Sequence, residues 1–130
     1  MTWMRIRLEL ARAPGFPEGS HRHGYEFILP LKADGSFDKK AYDKIPELCT
    51  VHRFWEGEGD DVGEIVHTTR RHWAFSYAAG DADDEPVVHF EKQNFRPDEY
   101  MTVREPGGPE HTFRIVRVEP APGLVSVRAR

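Results

Sequence analysis

The sequence predicts an all-β protein: a small antiparallel β-barrel of about seven strands, with one short helix plugging an end. Apolar residues alternate with polar residues along most of the chain, which is the pattern of half-buried strands. Clusters of glycine, proline and aspartate separate these stretches at short intervals. The 130 residues suffice for one hydrophobic core and not for two. We therefore expect a single domain over residues 1–130, whose proline-rich and basic tail, residues 120–130, frays or adds an edge strand.

The first two strands show this alternation most clearly. In residues 4–10 every second side chain is apolar, and the second strand presents one apolar face made of Tyr25, Phe27, Leu29 and Leu31. The helix is predicted over residues 36–44, because apolar residues recur there at helical spacing and Pro46 ends it by Ile45. Further strands are predicted at residues 49–56, 64–69, 72–78, 86–92, 99–105 and 111–119.

Charge and cysteine content narrow the class of protein. The formal net charge of −4 gives no general attraction to nucleic acids or to acidic membranes. Cys49 is the single cysteine, so an intramolecular disulfide is excluded. The first residues alternate charged with apolar side chains, unlike a signal peptide, and no apolar run is long enough to span a bilayer. We expect a cytoplasmic protein without membrane contact.

The segment from Gly15 to Glu26 carries the sharpest chemical hint. Gly15 is followed after five residues by His21-Arg22-His23 and then by Glu26, and this pattern resembles the first metal motif of the cupins. A weaker likeness to their second motif runs through Gly80, Pro86, His89 and Asn94. The resemblance implies a small β-barrel that holds one divalent transition metal through His21, His23, Glu26 and His89.

The spacing within this segment departs from the cupin pattern. Only two residues separate His23 from Glu26, so a regular strand would point Glu26 away from both histidines. A bulge at Gly24 would turn the Glu26 side chain back to the face that carries the two histidines. A distant strand carrying His67 or His89 would also have to supply the third ligand. The alternative is that the strand begins at Tyr25. Both histidines would then lie in a loop at the barrel rim, either exposed or stacked on an aromatic ring.

The C-terminal part of the chain carries a second resemblance. Tyr100 to Gly108, followed by Phe113-Arg114-Ile115-Val116, looks like the closing hairpin of the translation elongation factor barrels. This similarity implies a closed antiparallel barrel. It implies nothing about GTP, because the chain contains no glycine-rich phosphate-binding loop of the Walker type.

The main prediction for function is a binding module without catalysis of its own and without a cofactor. Arginine forks match phosphate and carboxylate groups, so Arg70 and Arg71 are predicted to bind a small anionic ligand or an acidic segment of a partner protein. Tyr25 and Trp73 are expected beside them, in a pocket at the barrel end near His21 and His23.

Two alternatives remain open from the sequence. One is a metal-dependent enzyme of cupin type that uses His21 and His23. The other is a single-stranded nucleic-acid binder that stacks bases on Trp55 and Trp73, although the negative net charge counts against it.

Overall fold

A computed structural model of the chain describes residues 1–68, 72–77, 84–106 and 108–121. Within these residues eight β-strands form a closed antiparallel barrel in which each strand pairs with its neighbours along the chain and β8 returns to β1. The strands are β1 Thr2–Leu10, β2 Ser20–Leu31, β3 Thr50–Trp55, β4 Asp61–His67, β5 Trp73–Ser76, β6 Glu85–Val87, β7 Tyr100–Arg104 and β8 Glu110–Pro120. The predicted fold class is confirmed. The strand order is a meander, which differs from the double-sheet jelly roll of the cupins.

The two ends of the barrel are built differently. Strands β1, β3, β5 and β7 end, and β2, β4, β6 and β8 begin, at the same end, which we call the mouth. At the opposite end, which we call the closed end, the chain forms helix α1 Lys39–Lys44 and the 3₁₀ turns Pro46–Leu48 and Phe90–Lys92. No helix in the described ranges is long and apolar enough to cross a membrane.

Helix α1 plugs the closed end, as the sequence predicts. Asp38 caps it by accepting a hydrogen bond from the Ala41 backbone N–H at 3.1 Å. Its buried Tyr42 packs its ring 4.9 Å from that of Trp73 and donates a hydrogen bond to the Ile65 carbonyl at 2.8 Å. A helix of six residues has little stability of its own, so these tertiary contacts hold it in place.

The predicted strand at residues 86–92 is wrong beyond Val87. The chain leaves β6 and passes through His89, whose φ of 56° lies in the left-handed region. It then forms the turn Phe90–Lys92, and this turn stacks Phe90 on Trp73 at 5.1 Å between ring centroids. The turn brings the Phe90 ring into the closed end. Alternation of apolar and polar residues does not predict such a turn. The predicted strand ends at residues 69 and 78, and the tail from residue 122, lie outside the described residues.

The barrel interior is filled by the faces that the alternation predicts. Tyr25, Phe27, Leu29 and Leu31 are all buried, as are Trp73 and Phe75. The rings of Tyr25 and Phe75 lie 4.8 Å apart, and the ring of Phe113 lies 5.1 Å from Tyr25. The middle of the barrel is therefore a packed aromatic core, and any site has to lie at one of its ends.

Candidate functional site

A buried carboxylate lies at the mouth end of the core. Glu85 is the first residue of β6 and pairs with Phe75, and its side chain is 6% exposed. Tyr25 from β2 and Tyr77, which follows β5, both donate their hydroxyl hydrogen bonds to Glu85 Oε1, at 3.0 and 2.6 Å. Strand β2 and the residue that follows β5 therefore both donate to one oxygen of a carboxylate on β6.

Arg53 approaches the same carboxylate from β3, where it lies opposite Tyr25 in the strand pairing. Its side chain is 9% exposed, and its Nε lies 3.5 Å from Glu85 Oε2. This Nε has no hydrogen-bond acceptor among the described residues. Arg53 Nη1 instead donates to Glu58 Oε1 at 3.1 Å, and the guanidinium lies over the Trp55 ring at 4.6 Å. Glu85 and Arg53 thus form an ion pair without a direct hydrogen bond.

Burial shifts the proton equilibria of this cluster. Removal of Glu85 from water raises the pKa of its carboxyl group, against the opposing hydrogen bond from Tyr77 and the charge of Arg53. Burial and the nearby Glu85 charge raise the pKa of Tyr25 and Tyr77, so both hydroxyls stay protonated and act as donors. Burial alone would lower the pKa of Arg53, but Tyr25, Glu58 and Glu85 favour its charged form and the net shift is upward.

A cavity of about 390 Å³ opens above this cluster, and we call it the mouth cavity. Among the described residues its charged lining consists of one guanidinium and four carboxylates. The lining residues are Arg53, Glu58, Asp61, Tyr77, Glu85, Glu105 and Pro106. The described lining is therefore acidic, whereas the sequence analysis predicts a site for an anion.

An aromatic and histidine rim borders the mouth cavity. Glu105 Oε1 lies 2.9 Å from His111 Nε2, and the His111 ring lies 5.6 Å from Trp55. The buried His23 also packs edge-on against the Trp55 ring at 4.6 Å, and it packs against Phe16 at 4.8 Å. Trp55 therefore links the charged cavity to the histidine motif of β2.

The histidine motif lies in an irregular stretch of β2. On the side facing β1, Gly24 pairs with Glu9 and the next paired residue is Ser20, opposite Leu10. His21 is exposed, whereas His23 turns inward and its Nδ1 lies 2.7 Å from Ser20 Oγ. The strand β2 begins at Ser20 and not at Tyr25, so the histidines do not lie in a loop. The surroundings that this alternative expects are nevertheless found, because His21 is exposed and His23 packs against aromatic rings.

The four proposed metal ligands do not meet. The pairing of β2 with β3 runs from His23 to Phe27 without a register shift, so Glu26 lies on the outer wall. There Glu26 accepts a hydrogen bond from Arg7 at 2.9 Å. His89 lies at the closed end, next to the turn Phe90–Lys92. In the described part of the chain, no group of three or more histidine, cysteine, aspartate or glutamate side chains is arranged to hold a metal ion.

The two described residues of the predicted anion site, Tyr25 and Trp73, lie at opposite ends of the barrel. Tyr25 presents its hydroxyl to the mouth cluster, while Trp73 lies at the closed end. Trp73 stacks on His67 with ring centroids 4.3 Å apart and donates a hydrogen bond to Glu91 at 2.7 Å. Arg70 and Arg71 lie outside the described residues.

Trp55 and Trp73 do not form one stacking surface. Trp55 lies at the mouth and Trp73 at the closed end, where it is 2% exposed. Base stacking requires an accessible ring face. The described residues therefore do not provide the pair of platforms that the nucleic-acid alternative requires.

The pairing of Arg53 with Glu85 at the mouth was not predicted from the sequence. Arg53 alternates with Val51 and Trp55, and this parity points its side chain inward. This alternation of residues along the strand indicates a buried arginine. Glu85 carries no comparable local signal, because it follows an acidic stretch that reads as a solvated turn. Comparison of the chain with protein-family models, with curated proteins and with solved structures gives no match.

Proposed function

We propose that the protein is a binding module without catalysis of its own, which holds a small polar ligand in the mouth cavity. The observation that carries this proposal is the buried Arg53–Glu85 pair, which lies at the base of a cavity at the open end of an otherwise apolar barrel. The same contacts support a binding role for Tyr77, whose hydroxyl reaches Glu85 from the cavity lining.

Stability alone gives little reason for a charged pair in this place. Moving two charged groups out of water costs several kcal/mol for each ion, and apolar replacements of a buried pair are often neutral or stabilising. The closed end of the same barrel is filled with aromatic rings such as Trp73 and Phe90. A buried group of shifted pKa beside a cavity is a frequent mark of a binding or catalytic site.

The size and chemistry of the cavity favour a small ligand over a covalent reaction. Small-molecule sites usually have volumes of about 300–1,000 Å³, and the mouth cavity, at about 390 Å³, lies at the lower end of this range. The described lining contains no serine, threonine or cysteine side chain to act as a nucleophile. Cys49 is buried outside the cavity, and burial raises the pKa of its thiol to about 12.

A fragment screen followed by two-dimensional ¹⁵N–¹H NMR tests the proposal. Small polar fragments are expected to shift the amide signals of Arg53, Tyr77 and Glu85 in a saturable manner. The matched variant is Arg53→Met/Glu85→Gln, which removes both charges and keeps an acceptor for the tyrosine hydroxyls. This variant is expected to stay folded and to lose the hits.

Two outcomes would contradict the proposal. In one, no fragment shifts the mouth signals. In the other, the same fragments bind the folded double variant with unchanged affinity. Hits that map only to the closed end, around Trp73 and Phe90, would place the binding site elsewhere and count against the mouth cavity.

A further inference from the structure

We propose that the ligand of the mouth cavity carries a protonated amine, which the carboxylates of the cavity recognise. This inference rests on the proposed function and adds the chemical class of the ligand. It reverses the charge that the sequence analysis predicts for the ligand.

The charge of the lining is the first argument. Glu58, Asp61, Glu85 and Glu105 face a cavity whose one described cationic lining residue is Arg53. Even without Glu105, which pairs with His111, carboxylates outnumber cations in the described lining. Clefts with low-dielectric walls concentrate the field of such a lining and attract ligands of opposite charge.

The hydrogen bonds of Glu85 supply the second, independent argument. Both tyrosine hydroxyls bind its Oε1, which leaves Oε2 without a hydrogen-bond donor among the described residues. Arg53 Nε lies 3.5 Å from Oε2, and this atom makes no hydrogen bond with the described residues. On a side chain that is 6% exposed, Oε2 makes this ion-pair contact and can still accept a hydrogen bond, which favours a ligand that supplies a donor.

The position of Arg53 explains why it leaves this oxygen free. Its Nη1 donates to Glu58 on the rim, and its guanidinium lies over the Trp55 ring. Held by these two contacts, Arg53 contributes charge to Glu85 without occupying Oε2. An ammonium group has three donors, which suits one bond to Glu85 Oε2 and others to the rim.

The rim carboxylates are accessible to such a group. The side chains of Glu58 and Asp61 are 58% and 54% exposed, and Asp61 Oδ2 is 4.0 Å from Arg53 Nη1, beyond hydrogen-bond distance. Among the described residues no side chain donates a hydrogen bond to Asp61, so its acceptor oxygens are available to an incoming donor. Together, Asp61 above and Glu85 below provide acceptors at two depths of the same cavity.

The experiment compares three probes of similar shape in NMR titrations at constant ionic strength: n-butylammonium, 1-butanol and butyrate. The n-butylammonium ion is expected to cause saturable shifts of the Arg53, Tyr77 and Glu85 signals. Its affinity is expected to exceed that of 1-butanol by about tenfold or more, which corresponds to about 1.4 kcal/mol. Butyrate is expected to leave these signals unchanged.

Matched carboxylate variants make the test specific. Asp61→Asn is expected to weaken n-butylammonium binding by about threefold to tenfold, because it removes one charged acceptor. Asp43→Asn makes the same change on helix α1, where Asp43 pairs with Lys39 at the closed end, and is expected to leave the affinity unchanged. Equal losses in both variants would overturn the inference, because they would indicate a general effect of net charge.

The outcomes separate this inference from the proposed function. If 1-butanol or butyrate binds the cavity with the same affinity as n-butylammonium, the ligand does not belong to the amine class, and the cavity remains a binding site. If all three probes fail while the fragment screen finds mouth ligands, only the amine inference falls. If the fragment screen finds no ligand at the mouth, the proposed function is contradicted as well.

Discussion

Arg53 comes within 3.5 Å of Glu85, yet its hydrogen bond goes to Glu58 on the rim. The buried carboxylate is therefore balanced in charge but incompletely hydrogen-bonded. This arrangement makes the mouth sensitive to removal of either partner, and it leads to the first prediction.

Removing only one partner of the pair is expected to be costly. Glu85→Ala leaves Arg53 with only its rim partner Glu58 and two tyrosine hydroxyls without their acceptor, so the free energy of unfolding should fall by about 3–5 kcal/mol. Arg53→Met/Glu85→Gln should unfold at a free energy close to that of the wild type. Urea unfolding followed by tryptophan fluorescence measures both. The exposed Glu99→Ala is the control, with an expected change below about 0.5 kcal/mol. A single variant as stable as the double variant would contradict this account.

The pH dependence of stability should carry a contribution from Glu85. Because burial raises its pKa above the ordinary 4.5, the folded state binds this proton more tightly than the unfolded chain. The free energy of unfolding should therefore decrease as the pH rises from about 4.5 through the raised pKa, and the decrease is complete above it. Urea unfolding of the wild type and of Glu85→Gln across this range isolates the effect. If the free energy of unfolding depends on pH in the same way in both proteins, the contribution of Glu85 is contradicted.

Gly24 should tolerate no side chain. A Cβ at this position would lie 2.0 Å from the Leu8 carbonyl oxygen and 2.9 Å from the Phe54 ring. Gly24→Ala must therefore push β1 away from β2, and we expect a loss of at least about 1–3 kcal/mol in thermal or urea unfolding. Gly59→Ala is the matched control, because no atom lies within 4 Å of its added Cβ. Equal stability of the two variants would argue against the close approach of these strands.

The two ends of the barrel should respond independently. Tyr42→Phe removes the hydrogen bond to the Ile65 carbonyl at the closed end, which should cost about 0.5–1.5 kcal/mol. The n-butylammonium titration of the mouth should be unchanged in this variant, since Tyr42 contacts none of the cavity residues among its described partners. A changed affinity would indicate that the ends are coupled through the core.

The sequence predicts the fold better than it predicts the site, and the reason is physical. Alternation of apolar and polar residues determines which faces of β2 and β5 are buried, so Phe27 and Phe75 could be placed in the core from the sequence alone. The same parity applied to Val51 and Trp55 indicates that Arg53 points inward. Its partner Glu85 depends on strand register across the barrel, which local patterns do not encode.

The histidine motif shows that neighbours along the chain can be turned apart in space. His21 and His23 are close in sequence, so spacing suggested a shared ligand, but the irregular pairing beside Gly24 turns them in different directions. Glu26 follows the regular alternation of the strand, so its side chain points out of the barrel, where it pairs with Arg7. Proximity along the chain therefore predicted a metal site that the backbone geometry separates.

The meander order has a consequence for how the barrel is assembled. Every described strand pairing joins neighbours along the chain except the seam between β1 and β8, which runs from Met4–Pro120 to Leu10–Phe113. During synthesis one edge of β1 must remain unpaired until β8 emerges, because β8 is its partner and lies more than 100 residues further along the chain. Closing this long loop carries an entropic cost that the other pairings avoid. We therefore expect a ribosome-bound chain that lacks β8 to expose an open sheet edge, the structure most prone to pair with other chains.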